Sequence, residues 1–211
     1  MRKITRFDAS LSPVSIAAMV PEGQEEFEYD AKRLWPPSDL GPTARFVRYA
    51  TVAAMEAMND ARWVPGNEAE KARTGVAIGS GIASMEDVEE GHQTFLTSGP
   101  RKLSPYFIPK ILINTAAGHL SIKYGLHGPN HAVSTACATG VHALGDAANF
   151  ISAGYADVML AGSTEAAITP LSISGFAKAR ALSTKFQDTP ERASRPFDKD
   201  RDGFVIGEGA G

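Results

Sequence analysis

The sequence predicts an α/β domain built on a largely parallel sheet. Two short apolar runs, Gly75–Ser80 (GVAIGS) and Asp157–Gly162 (DVMLAG), lack the alternation of a half-exposed strand and read as buried parallel strands. His131–Thr135 (HAVST) reads as a third strand. Segments with helical spacing separate these runs, and strands alternating with helices call for crossover connections.

Each element follows in order. Residues 1–42 mix proline, glycine and acids, so loops with short helical pieces are expected. Thr43–Arg62 is a helix, with Phe46, Ala50, Ala53, Ala54 and Ala57 on one face among Arg45, Arg48, Glu56 and Asp60. Gly66 and Asn67 punctuate the turn after it. Ser84–Leu96 reads as an acidic helix, and the charge run Glu86–Glu90 as its solvated face. Gly99–Pro109 is a loop containing three prolines. Ile111–Tyr124 reads as an apolar helix stopped by Gly125 and Gly128-Pro129. Gly140–Ala153 is a helix rich in small residues, closed by Gly154. Gly203–Gly211 (GFVIGEGAG) reads as a strand that has just begun, so truncation of a longer domain is expected.

Composition narrows the function classes. The 211 residues are 43% hydrophobic and 21% charged, enough apolar material for a sizeable core. A net charge of −3 gives no global attraction to nucleic acid or an anionic membrane. No apolar run reaches the length of a membrane-spanning helix. The start, Met1–Ser10, has no signal-peptide core. One cysteine excludes an internal disulfide framework, and no Cys/His cluster has zinc spacing. Gly79-Ser80-Gly81 lacks the third glycine and the downstream acid of a dinucleotide site. Asp198–Asp202 fails the EF-hand spacing.

Cys137 carries the chemistry. In VSTACATG it stands between an apolar strand and the first turn of a helix. Free N–H groups at a helix start stabilise a nearby anion, which favours the nucleophilic thiolate. The same groups can hold a thioester oxyanion. Ala136, Ala138 and Gly140 leave room for a substrate. This is the logic of a nucleophile elbow, with sulfur in place of oxygen.

The segment GPNHAVSTACATG resembles the active-site segment of the β-ketoacyl-[acyl-carrier-protein] synthases, the condensing enzymes of fatty-acid synthesis. Four further segments match in order: SPYFIPKILINTAAGHLSIKYG (104–125), ADVMLAGSTEA (156–166), GFAKARALS (175–183) and SRPFDKDRDGFVIGEGAG (194–211). The wording of GPNHAVSTACATG and IPKILIN is most similar to the mitochondrial type. The resemblance implies a thiolase-like αβαβα layered fold, of which residues 1–211 would be the N-terminal domain. The opening strand and the second half would be missing. GVAIGS, HAVST, DVMLAG and GFVIGEG would then be core strands.

The implied activity is decarboxylative condensation of an acyl thioester with malonyl-[acyl-carrier-protein], through an acyl group on Cys137. No cofactor is implied, because the substrates ride on the phosphopantetheine of acyl carrier protein. The family places two catalytic histidines, a lysine and a loop of the oxyanion hole in the second half, so this chain alone is expected to be inactive. Accordingly His119, His127, His131 and His142 are expected to be structural and His92 exposed. The resemblance also assigns Leu112 and Phe176 to the acyl pocket and pairs Arg195 with Asp202. Arg45, Arg48, Lys178 and Arg180 are candidates for docking the acidic carrier protein. A homodimer is implied for the full-length protein, in the mitochondrion or alternatively the bacterial cytoplasm. A thiolase or a polyketide-type synthase is a neighbouring reading, though RPFDKDRDGFVIGEGAG favours the carrier-protein branch. A non-catalytic short isoform that binds a full-length synthase is a reading of a different class.

Overall fold

The computed structural model describes residues 1–211. Its elements begin with an antiparallel two-residue ribbon, β1 (Arg2–Lys3) and β2 (Ile16–Ala17). The short helices α1 (Ala31–Leu34) and α2 (Pro37–Leu40) follow, then α3 (Arg45–Asp60), α4 (Glu68–Ala72) and β3 (Thr74–Gly79). Next come α5 (Met85–Ser98), α6 (Phe107–Ile111), α7 (Thr115–Tyr124) and β4 (Asn130–His131). The chain continues through α8 (Thr139–Ser152), β5 (Val158–Glu165), α9 (Pro170–Lys178) and β6 (Gly209–Ala210).

The main sheet has the order β4-β3-β5-β6. β3 runs parallel to β5 from Thr74 opposite Val158 to Gly79 opposite Ser163. β6 returns antiparallel, with Glu165 opposite Gly209. Thr74–Gly79 is buried throughout, as an apolar run without alternation requires. α3 and α7 cover one face of the sheet, where Phe46, Val47, Ala50, Ala117 and Leu120 pack on Val76 and Ile78. Burying a side chain such as Phe46, which is fully enclosed, stabilises the fold by about 1.5–3 kcal/mol. α8 packs against β3 and β5. A second core joins the N-terminal ribbon to α9 and the last segment through Ile16, Ala17, Ile173, Leu182 and Ile206.

Local chemistry fixes the helix ends. Ser84 accepts the Asp87 N–H and starts α5, and Gly125 ends α7 in the left-handed conformation at φ 63°. Asn67 caps α4, a helix that the sequence reading left out.

Four expectations are corrected. The strand HAVST shrinks to Asn130–His131, because the chain then turns toward Cys137 and the Thr135 N–H is taken by Thr139 Oγ1. Gly79 permits this, since a Cβ there would collide with the Val133 carbonyl. The helix drawn over Ile111–Tyr124 is broken at Leu112, whose backbone is extended while Thr115 Oγ1 donates to the Pro109 carbonyl. The strand GFVIGEG is reduced to Gly209–Ala210. Its earlier part makes single bridges, Phe204 with Leu182 and Gly207 with Ala18, and Glu208 turns to Arg6. Arg195 pairs with Asp198 at 2.6 Å, not with Asp202. Asp202 instead accepts from Ser183 Oγ, Thr184 N–H and Lys185 N–H.

Candidate active site

Cys137 lies in a single 3₁₀ turn, Ala136–Ala138, that leads directly into α8. Ala136 before it is left-handed, at φ 52°. For a residue with a Cβ this conformation costs about 1–2 kcal/mol. Hydrogen bonds around the turn hold it there. Thr139 Oγ1 donates to the Ala136 carbonyl at 2.7 Å and accepts the Thr135 N–H at 2.9 Å. The Ala138 N–H donates to the Thr135 carbonyl at 3.1 Å. His142 Nδ1 lies 2.7 Å from Thr135 Oγ1. The Cys137 N–H donates to no protein acceptor, as expected of an amide in the opening turn of a helix.

The turn points Cys137 outward: the cysteine is exposed and borders a cavity of about 610 Å³. Gly140 lets α8 sit close to β5, since a Cβ there would stand 2.7 Å from Ser163 Oγ. Gly81, Ile82, Glu165, Phe176 and Phe204 contribute to the cavity wall. Phe176 and Phe204 meet edge to face at 5.5 Å between ring centres. An exposed thiol with a free N–H beside a partly apolar cavity can accept an acyl group and stabilise the developing oxyanion.

The structure brings Phe176 to the Cys137 cavity but leaves Leu112 outside its wall. Leu112 sits at the bend after α6 and is 46% exposed. Arg45 is engaged within the protein, 3.2 Å from Glu86 and 2.5 Å from Glu22. Arg48 is half-buried and its Nε has no partner. Lys178 and Arg180 are exposed at the end of α9, the helix that carries Phe176.

None of the five histidines lines the cavity. His131 lies 3.1 Å from Asp146, and His127 lies 3.7 Å from Glu68. His119 stacks obliquely on Trp35, and burial pushes its pKa down. His92 is exposed on α5.

The sequence reading missed Glu165, at the end of β5. Its carboxylate accepts from Ser80 Oγ at 2.9 Å, from the Gly81 N–H at 2.8 Å and from the Ile82 N–H at 3.2 Å. Burial pushes its pKa above the usual glutamate value, and these hydrogen bonds offset part of the rise. The signal was present in ADVMLAGSTEA, where an acid ends an apolar strand.

The family described as "Beta-ketoacyl synthase, N-terminal domain" matches residues 3–211. The mitochondrial 3-oxoacyl-[acyl-carrier-protein] synthase of Arabidopsis thaliana is 55% identical over 209 residues, covering 99% of this chain and 44% of the relative. The 3-oxoacyl-[acyl-carrier-protein] synthase 2 of Rhizobium meliloti is 48% identical, over 100% of this chain and 50% of the relative. The crystal structure of a β-ketoacyl synthase from Burkholderia phymatum superposes with a TM-score of 0.81 at 31% identity, covering 94% of this chain and 47% of that one. A type II PKS ketosynthase in complex with its acyl-carrier protein superposes with a TM-score of 0.73 at 37% identity, over 79% of this chain and 42% of that one. The chain thus spans about half the length of the curated relatives it matches. Its fold is thiolase-like, and by the match over residues 3–211 the chain belongs to the β-ketoacyl synthase family, as that family's N-terminal domain.

Proposed function

We propose that Cys137 is the acyl acceptor of a 3-oxoacyl-[acyl-carrier-protein] synthase that elongates fatty-acid chains. The observation that carries this reading is the exposed Cys137, with its unpaired N–H, at the border of the 610 Å³ cavity. The Cys137 thiolate attacks the carbonyl of an acyl-carrier thioester, and the oxyanion forms against the Cys137 N–H. The bond from carbonyl carbon to pantetheine sulfur then breaks, and the carrier leaves as a thiolate that takes up a proton. Malonyl-carrier thioester next loses CO2, and the resulting carbanion attacks the acyl-cysteine, releasing the Cys137 thiolate and the 3-oxoacyl product. No cofactor enters this sequence.

With no imidazole in the cavity, this chain by itself is proposed to lack the condensation step. Acyl carrier protein is the proposed partner, and the exposed Lys178 and Arg180 suit an acidic surface. A second copy of the protein is the other proposed partner. Val141 and Leu144 of α8 are 72% and 57% exposed, and β4 pairs on one side only. Relatives with mitochondrial and with bacterial origins support either the mitochondrion, the preferred site, or the bacterial cytoplasm.

The test is acylation of a full-length synthase carrying this chain. Mass spectrometry after incubation with acyl-carrier protein should place the acyl group on Cys137. An acyl group on another residue, or none, would overturn the assignment.

A further inference from the structure

The strand end that faces Cys137 carries a carboxylate with an unusual set of partners. Glu165 is the last residue of β5 and lines the same cavity as Cys137. It reaches across to the turn after β3, where it accepts from Ser80 Oγ, Gly81 N–H and Ile82 N–H. Ser80 is fully buried, and its Oγ also accepts the Ala83 N–H at 2.9 Å. Ala83 is itself left-handed, at φ 63°. One carboxylate therefore ties down a strained turn.

That turn backs the elbow. A Cβ at Gly81 would lie 2.8 Å from Glu165 Oε2 and 3.5 Å from the Ala136 Cα. The Gly81 backbone is thus packed between the carboxylate and the left-handed residue that aims the nucleophile. Movement of residues 80–82 would open the space behind Ala136. This partly buried carboxylate offsets its desolvation because its two oxygens accept several converging donors at once.

We propose that Glu165 is a positioning residue for Cys137: it clamps the 80–82 turn behind Ala136 and so fixes the direction of the thiol and one wall of the acyl cavity. Its action runs through the backbone, and it exchanges no proton with the substrate. The proposal rests on the acyl-acceptor reading of Cys137.

The experiment compares Glu165→Gln and Glu165→Ala with the wild type in a full-length synthase carrying this chain. Single-turnover acylation by acyl-carrier protein is followed by mass spectrometry of the Cys137 peptide. Misplacement of a reacting group by about 1 Å lowers rates on the order of a hundredfold. Glu165→Ala should therefore acylate roughly ten- to a hundredfold more slowly at saturating carrier protein, with KM unchanged. Glu165→Gln, which keeps one acceptor oxygen, should fall in between. A wild-type rate in Glu165→Ala, or a loss confined to KM, would overturn the proposal. If Glu165→Ala does not fold, Ser80→Ala removes one donor of the clamp and should slow acylation in the same sense; an unchanged rate there overturns it equally. A wild-type enzyme that is not acylated on Cys137 would instead overturn the acyl-acceptor reading.

Discussion

Thr139 Oγ1 donates to the carbonyl of Ala136 at 2.7 Å, so the first residue of α8 holds the left-handed residue that precedes Cys137. The same hydroxyl accepts the Thr135 N–H, and Thr139 is 2% exposed. Thr139→Val would keep the shape and leave the Thr135 N–H unpaired, while the Ala136 carbonyl would keep only the Thr139 backbone N–H. A loss of about 1–3 kcal/mol in unfolding free energy is expected. Denaturant unfolding of the variant checks this, and a stability equal to wild type would remove Thr139 from the elbow's support.

Cys137→Ser should abolish the thioester on the enzyme while leaving stability nearly unchanged. The side chain is exposed and the two residues are close in size. Intact-mass analysis after incubation with acyl-carrier protein reads the first effect, and thermal unfolding the second.

Chain-length preference should respond to the two apolar positions in different ways. Phe176 lines the cavity, so Phe176→Ala enlarges it and should shift preference toward longer primers. Burial contributes about 0.8 kcal/mol for each methylene, which sets an upper bound of about fourfold in kcat/KM per added methylene. Leu112 lies outside the cavity wall, exposed at the bend before α7. Leu112→Phe should therefore leave the primer profile unchanged. A loss selective for long primers would return Leu112 to the acyl pocket.

The candidate docking arginines divide by what they already touch. Arg180→Glu, in an exposed position, should raise KM for acyl carrier protein severalfold at low salt, and the effect should shrink as salt is added. Arg45→Glu should instead lower stability by about 1–3 kcal/mol, because it places a third carboxylate beside Glu22 and Glu86. A salt-dependent KM change with unaltered stability in Arg45→Glu would return Arg45 to the docking surface.

Acid should weaken the turn at Asp202. Desolvation alone would raise its pKa, but hydrogen bonds from Ser183, Thr184 and Lys185 bring it below the ordinary aspartate value. A carboxyl depressed in the folded state contributes stability that is present above its unfolded pKa and is lost as pH falls through the folded one. Asp202→Asn should cost about 1–2 kcal/mol at neutral pH. The gap to wild type should close in strong acid, as read by denaturant unfolding from pH 7 down to about pH 2. A gap that stays constant over this range would exclude the carboxylate charge as its cause.

The sequence disclosed the parts of the fold that periodicity and residue size encode. The runs at Thr74–Gly79 and Val158–Glu165 are strands, the first buried throughout and the second only partly, and the small-residue segment after Cys137 is a helix. Its failures share a cause. HAVST has strand composition, yet the N–H of its Thr135 donates to Thr139 Oγ1, a bond invisible to propensity. The Leu112 bend depends on a side-chain bond from Thr115 to Pro109, and the Arg195 partner on local turn geometry. At the site, Cys137 stood out through its neighbours. Glu165 did not, because its meaning depends on residues 80–82, which only the parallel pairing of β3 with β5 brings near.

The cavity beside Cys137 is assembled from five stretches far apart along the chain: the turn after β3, the elbow, the end of β5, Phe176 of α9 and the segment from Phe204 onward. Such non-local contacts close slowly during folding, because loop entropy opposes them until they form together. The left-handed Ala136 is held by bonds within residues 135–139, which can form with α8 alone. A nascent chain that has made α8 can therefore already present Cys137 in its turn, while the walls around it wait for the returning segment to dock against β5.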